Sequence, residues 1–250
     1  TALQFGLPEF KEDIGLPEQQ PSTPTQRQIP PTLTAPDSQV LEDGSVGLNI
    51  NAAPPSNNPN AYITVEIKGI PSTWGIDLNG GTYDPITQIW SITLPPNTPF
   101  TGGPILSPPV DSDADLTGLI VTVTSTDPTT GLTSSVTDTL DVIVDAVADA
   151  PNAVANDATV PEDAAAPLNI SASVNDTDGS ETITSIIIHN LSAGFTPSAG
   201  TFDPVTGDWT LTPAQLAGLT VTPPANFSGS IDLDIEVIGA ETNKTDADFD

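Results

Sequence analysis

The chain has no cysteine and no methionine, a single histidine, and only 4 lysine and arginine residues among 250. Without cysteine there are no disulfides, no zinc–thiolate centres and no thiol catalysis. That absence does not set the compartment, because many secreted bacterial proteins lack cysteine; small loop-rich domains then need another source of stability. With so few cations and a formal charge of −29, the surface repels nucleic-acid phosphates and anionic membranes. Aromatics make up 5% of residues, which argues against a sugar-stacking platform. No stretch is long and apolar enough to span a bilayer as a helix. The start, Thr1-Ala2-Leu3-Gln4, has neither the basic region nor the apolar region of a secretion signal. The missing initiator methionine and abrupt end suggest a piece of something longer. Runs of helix formers are also scarce, and Pro213-Ala214-Gln215-Leu216-Ala217 offers at most one turn.

What is abundant points to strands. Short Val/Ile/Thr stretches alternate with turn residues, including 27 Pro and 19 Gly. A hydrophobic content of 36% suits two small sandwich cores better than one large globule. An internal repeat supports that division. Val40-Leu41-Glu42-Asp43 and Gly47-Leu48-Asn49-Ile50 recur as Val160-Pro161-Glu162-Asp163 and Pro167-Leu168-Asn169-Ile170. Gly81-Thr82-Tyr83-Asp84-Pro85 with Trp90 recurs as Gly200-Thr201-Phe202-Asp203-Pro204 with Trp209, and Leu106-Ser107-Pro108-Pro109 as Val221-Thr222-Pro223-Pro224. The order is kept at a spacing of about 120 residues, so the halves read as copies of one domain.

Alternation within each copy supports strands at Ile63–Ile67, at Leu119–Val123, and at Leu140–Asp145 as the last strand of the first copy. In the second copy it supports strands at Ile183–Ile188 and Ile231–Val237. About seven such strands per ~100 residues is the pattern of an immunoglobulin-like sandwich. The expected architecture is all-β: a leader or linker over 1–30, a sandwich over 31–147, and a second over 148–250. The leader carries the echo Gly6-Leu-Pro-Glu9 and Gly15-Leu-Pro-Glu18 and could lie along the first domain through Phe5 and Phe10. The second copy lacks a counterpart of Leu140–Asp145 unless another segment supplies one.

Carboxylates packed within ~5 Å repel by ~1 kcal/mol per pair even in water, so clustered acids suggest a bound cation. Oxygen-only ligands favour Ca²⁺. The join between copies reads Asp145-Ala-Val-Ala-Asp149-Ala-Pro151, followed by Glu162-Asp163 and by Asn175-Asp176-Thr-Asp178-Gly179-Ser-Glu181. This constellation, over residues 35 to 250, resembles the bacterial cadherin-like repeats of giant RTX-type adhesins exported by type I secretion. The resemblance implies a Ca²⁺-binding extender segment of a cell-surface, biofilm-related fibre. It implies neighbouring repeats as partners and a host or biofilm ligand reached through other domains. It also implies Asp145, Asp149, Glu162, Asp163, Asp176, Asp178 and Glu181 as the ligand set. Physically, an Asp-x-Asp loop followed by Gly bends to present two carboxylates together.

The first copy departs from the pattern. Asn51 to Asn60 replaces the Asp-x-Asp loop and Pro30–Pro36 lacks linker aspartates, although Glu42 and Asp43 persist. It reads as the start of a series. It has instead Asp111-Ser-Asp113-Ala-Asp115, where the second copy has Ala225-Asn-Phe-Ser-Gly229. Asp111, Asp113 and Asp115 either join the same boundary, form a separate site, or stand as a solvated acidic loop. His189 follows an Ile-rich strand with no nucleophile pattern, so it reads as a strand-end histidine. The paired aromatics read as core. Paired acids could serve a glycosidase, but these fall on turns and linkers. The expectation is a monomeric, non-enzymatic, extracellular segment without nucleic-acid or membrane-inserting partners. A ligand-binding module or an accessory sandwich of an extracellular enzyme are the alternatives.

Overall fold

The computed structural model describes residues 28–175 and 179–241. The leader up to residue 27, Asp176, Asp178 and everything after Glu241 lie outside that description. The described chain is all-β, in two sets of sheets with separate cores.

In the first unit, Thr32–Thr34, Ile50–Ala53 and Phe100–Gly102 form one three-stranded sheet, and Val46–Gly47, Ile105–Ser107 and Gly75–Asp77 a second. Both share a core with a six-stranded sheet. Its order is Ser38–Leu41, Thr133–Asp145, Leu116–Thr126, Tyr62–Lys68, Ile89–Leu94, Thr82–Asp84. The central strands alternate: Ile63, Val65 and Ile67 face Val121, Val123, Ile92 and Trp90 inside, and Thr64, Thr93, Thr122 and Thr137 line the exposed side. All neighbours are antiparallel except Ser38–Leu41, which runs parallel to Val142–Asp145. The last strand brings Leu140, Val142 and Val144 to the core at 1%, 0% and 0% exposure. Burial on this scale stabilises by ~1.5–3 kcal/mol per large aliphatic side chain.

The second unit repeats the plan. Asn152–Asn156 pairs with Asn169–Ser173, and Thr220–Thr222 lies between Ala166–Pro167 and Thr196–Pro197. Thr201–Phe202, Trp209–Leu211, Glu181–His189 and Asp234–Glu241 form the other sheet. The internal repeat is thus a structural one. Trp90 stands opposite Tyr83 and Ile67, and Trp209 stands opposite Phe202 and Ile188. The joining turns share one device: Asp84 accepts the Ile86 N–H at 2.9 Å, and Asp203 accepts the Val205 N–H at 2.7 Å. Gly81 is required by packing, since a Cβ there would sit 2.4 Å from the Trp90 ring. The expected helical turn is a single 3-10 turn at Pro213–Leu216, with the Thr212 N–H donated to the Gln215 side chain at 2.8 Å.

One expected strand is shorter than the alternation indicates. Ile231–Val237 alternates throughout, yet the strand begins at Asp234. In the first unit, the matching residues Leu116 and Leu119 are held by the last strand through Val142 and Leu140. Among the described residues of the second unit no such strand is present, so Ile231 to Leu233 has no ladder to join.

Candidate metal centre at the junction

The connection between the units is held by side chains from both. Glu42, only 4% exposed, accepts the Val147 N–H at 2.5 Å, and its own N–H is donated to the Asp145 carbonyl at 3.0 Å. From the second unit, Glu181, 5% exposed, accepts the Asp149 N–H. Its other oxygen, Oε2, is buried and has no hydrogen-bond partner among the described residues. Asn175 donates its amide to the Ala150 carbonyl at 2.7 Å and accepts from the Asn152 side chain. The linker backbone is therefore held at Asp145, Val147, Asp149 and Ala150 rather than left as a free tether.

This threading places Asp149 beside two acids of the first unit. Carboxylate oxygens of Asp43, Asp111 and Asp149 all lie within 4.8 Å of one another. Asp111 reaches the cluster from a turn in which its backbone is left-handed, at φ 54; aspartate tolerates that conformation better than most residues. The same turn exists in the second unit with Asn226 at φ 59. There Asp163, the counterpart of Asp43, accepts the Asn226 N–H at 2.7 Å.

The sequence-derived ligand set divides. Asp149 and Asp111 come together, and Glu181 stands against the Asp149 backbone. Asp145 turns aside, accepting from Gln39 at 2.6 Å. Asp115 accepts the Val144 N–H at 2.8 Å and braces the irregular start of its strand. Asp113 is half-buried in the same loop but outside the three-carboxylate cluster. Glu162 and Asp163 do not reach this junction. The pairing runs from Asn152 opposite Ser173, next to the linker, to Asn156 opposite Asn169, so the loop after Asn156 lies a strand's length away. Asp176 and Asp178 lie outside the described residues. Asp43 was missing from the expected set. Its signal was present, since it belongs to the Glu42-Asp43 pair that recurs as Glu162-Asp163.

Three carboxylates on a span of 4.8 Å fit one Ca²⁺, whose oxygen ligands lie 2.3–2.6 Å from the ion and so up to ~5 Å apart. The donors are oxygen only. Without a cation the three charges repel by ~1 kcal/mol per pair even at the dielectric of water.

His189 bridges two carboxylates. Its Nδ1 meets Asp208 at 2.9 Å and its Nε2 meets Glu236 at 3.0 Å. Hydrogen bonding to Asp208, then to Glu236, raises its pKa above the ordinary histidine value.

No family model matches the chain, and no curated protein matches it. Solved structures do show similarity. A variant of BcpA, the major pilin subunit of Bacillus cereus, is 10% identical, covers 86% of this chain and 67% of its own, and has a TM-score of 0.40. AggA, the major subunit of aggregative adherence fimbriae type I from Escherichia coli, is 17% identical over 46% of this chain and 95% of its own, at 0.31. A cohesin–dockerin complex from Clostridium thermocellum is 8% identical over 48% and 100%, at 0.29. At these values the likenesses carry no argument about function. Among the described residues no helix is long and apolar enough to cross a membrane.

Proposed function

We propose that the chain is a non-enzymatic structural segment of a bacterial cell-surface adhesin, with domains at 31–147 and 148–250 whose junction is stiffened by Ca²⁺. The observation that carries this is the convergence of Asp43, Asp111 and Asp149 from two loops and the linker within 4.8 Å. Two features support it. Glu42 and Glu181 fix the linker backbone from either side, so the carboxylates meet without a large ordering cost at binding. Glu181, which accepts the Asp149 N–H, also keeps a buried oxygen with no hydrogen-bond partner among the described residues.

The mechanism is a charge switch. At low Ca²⁺ the clustered acids disfavour the ordered junction; at extracellular Ca²⁺ near millimolar the ion joins both loops to the linker. A dissociation constant of ~10 μM would add ~2.7 kcal/mol at ~1 mM Ca²⁺ and almost nothing at cytosolic levels. The chain would stay loose until exported and stiffen outside. Thermal unfolding in Ca²⁺ against chelator, with Mg²⁺ as control, tests this. The expected result is a Ca²⁺-specific rise in Tm that Asp149→Asn abolishes. Equal melting in Ca²⁺ and chelator would sink the Ca²⁺ mechanism.

A further inference from the structure

The six-stranded sheet is entered and left on neighbouring strands. Ser38–Leu41 is its outermost strand, and Thr133–Asp145 beside it runs straight on into the linker. The two are parallel, with Val142 opposite Ser38 and Asp145 opposite Leu41. Tension between the chain before residue 37 and the second unit therefore pulls them in opposite senses along their own length. The rungs between them are then loaded together, in shear. A pair opened from one end breaks its rungs one at a time instead.

Side chains add rungs to the backbone ladder. Asp37 accepts the Asp141 N–H at 2.8 Å, just before the pair begins. Gln39 donates to the Asp145 side chain at 2.6 Å. Past the end of the pair, the Glu42 N–H is donated to the Asp145 carbonyl at 3.0 Å, and the Glu42 side chain accepts the Val147 N–H. Contact thus runs from Asp37 to Glu42 on one side and from Asp141 to Val147 on the other. Packing resists sliding as well. Val40, Val142 and Val144 are all buried, and a slip of one residue turns every side chain of a strand to the opposite face. The pair cannot creep without pulling Val40 out of the core.

We propose that Asp37–Glu42 and Asp141–Val147 form a tension clamp, a load-bearing device that keeps the first unit folded when the chain is pulled lengthwise. The proposal rests on the reading of the chain as a segment of a surface fibre, and not on Ca²⁺. Load from the upstream side reaches Asp37 after Thr32–Thr34, which three antiparallel residue pairs hold in a separate sheet. Load from the second unit arrives through the linker, which Glu42 grips at Val147. Both paths end on the same two strands. While these hold, the rest of the sandwich stays off the load path.

The test is single-molecule pulling on the full chain, whose lack of cysteine lets two be introduced as handles. Pro36→Cys with Val154→Cys, both at exposed positions, loads the pair in shear. Pro36→Cys with Thr129→Cys, exposed in the turn before Thr133, draws the same strand back on itself and peels it from Ser38 onward. In chelator, the lifetime at fixed load should be at least about 10-fold longer in shear, because several rungs rather than one must give before the barrier is crossed. Gln39→Ala should shorten the shear lifetime about 5-fold, the worth of one net hydrogen bond. It should leave the peeling lifetime unchanged, because its rung lies behind the first to open. Equal lifetimes in the two directions would overturn the proposal. So would an equal loss from Gln39→Ala in both, the mark of a contact that only stabilises. Direction dependence found only in Ca²⁺ would also overturn the clamp, yet leave the Ca²⁺ junction standing. Direction dependence that Ca²⁺ does not alter supports the clamp and counts against the Ca²⁺ mechanism alone.

Discussion

The two units share a plan and differ in how far it is completed. In the first, twenty buried side chains form one cluster; in the second, five do, with a wider margin of half-buried neighbours such as Leu168, Ile183 and Leu233 among the described residues. The sequences of the central strands are not the cause, since Ile186 and Ile188 are as fully buried as Ile63 and Ile67. The difference arises at one edge. There the last strand closes the first sandwich and also gives Ser38–Leu41 a partner. Among the described residues of the second unit neither element is present, since residues 157–161 form no strand. The strand next to the edge thus organises neighbours on both of its sides, Leu116–Thr126 and Ser38–Leu41.

The largest test of that contrast is in the cores. Leu140→Ala should cost the first unit about 2–5 kcal/mol, the range for deleting a fully buried leucine side chain. Ile235→Ala, at a half-buried position, should cost the second unit roughly half as much. The tryptophans separate the signals, since Trp74 and Trp90 lie in the first unit and Trp209 in the second. Urea unfolding followed by fluorescence in a Trp209→Phe background reads the first unit alone. Equal costs at the two sites would mean that the second core is as closed as the first.

Next comes the linker. Glu42 is buried and holds the Val147 N–H, and its counterpart Glu162 is exposed. Glu42→Ala should therefore cost about 1–3 kcal/mol, since it leaves a half-buried N–H without its acceptor. Glu162→Ala should stay within about 0.5 kcal/mol. If both variants melt like the wild type, the grip on the linker contributes nothing to stability.

A smaller effect with the opposite sign is expected at Asp43. In chelator and low salt, Asp43→Asn should stabilise the chain by about 1 kcal/mol, because it removes repulsion from Asp111 and Asp149. Asp163→Asn should bring no such gain, as its carboxylate holds the Asn226 N–H and belongs to no three-carboxylate cluster among the described residues. Stabilisation by both, or by neither, would dissolve the distinction between the two ends.

These contrasts also show what could be read in the residues. The repeat and the strand alternation are local patterns, so the sandwiches and the Trp90 and Trp209 hairpins were legible before any coordinates. Asp149 and Asp111 were legible as acids at a boundary. The partition of the rest was not. Asp145, Asp115 and Asp149 look alike in a string of aspartates, and only the course of the backbone decides which meets Gln39, which meets Val144 and which meets another carboxylate. Glu162 and Asp163 failed for a related reason. Their nearness to the linker in sequence is undone by one strand that carries the chain to the other end of the unit. Asp43 was hidden by the opposite effect, since it lies over a hundred residues from the linker aspartate it joins.

The smallest expected effect belongs to the second unit alone. His189 bridges Asp208 and Glu236, and these acceptors raise its folded pKa above the unfolded value. A group raised in this way stabilises fully below its unfolded pKa, and the contribution fades as pH rises through the folded pKa. Asp208 works in the complementary direction, its pKa lowered chiefly by the same hydrogen bond. The second unit should therefore be slightly more stable near pH 5.5 than near pH 8.5. The first has no histidine and should lack this component, so the gap between the two transitions should narrow in mild acid. His189→Gln keeps a hydrogen-bonding side chain without the titration, and it should flatten the dependence in the second unit only. Because the site is solvent-accessible, added salt should shrink the effect further. A pH slope that survives His189→Gln would place its origin among the carboxylates and leave the bridge a purely geometric brace.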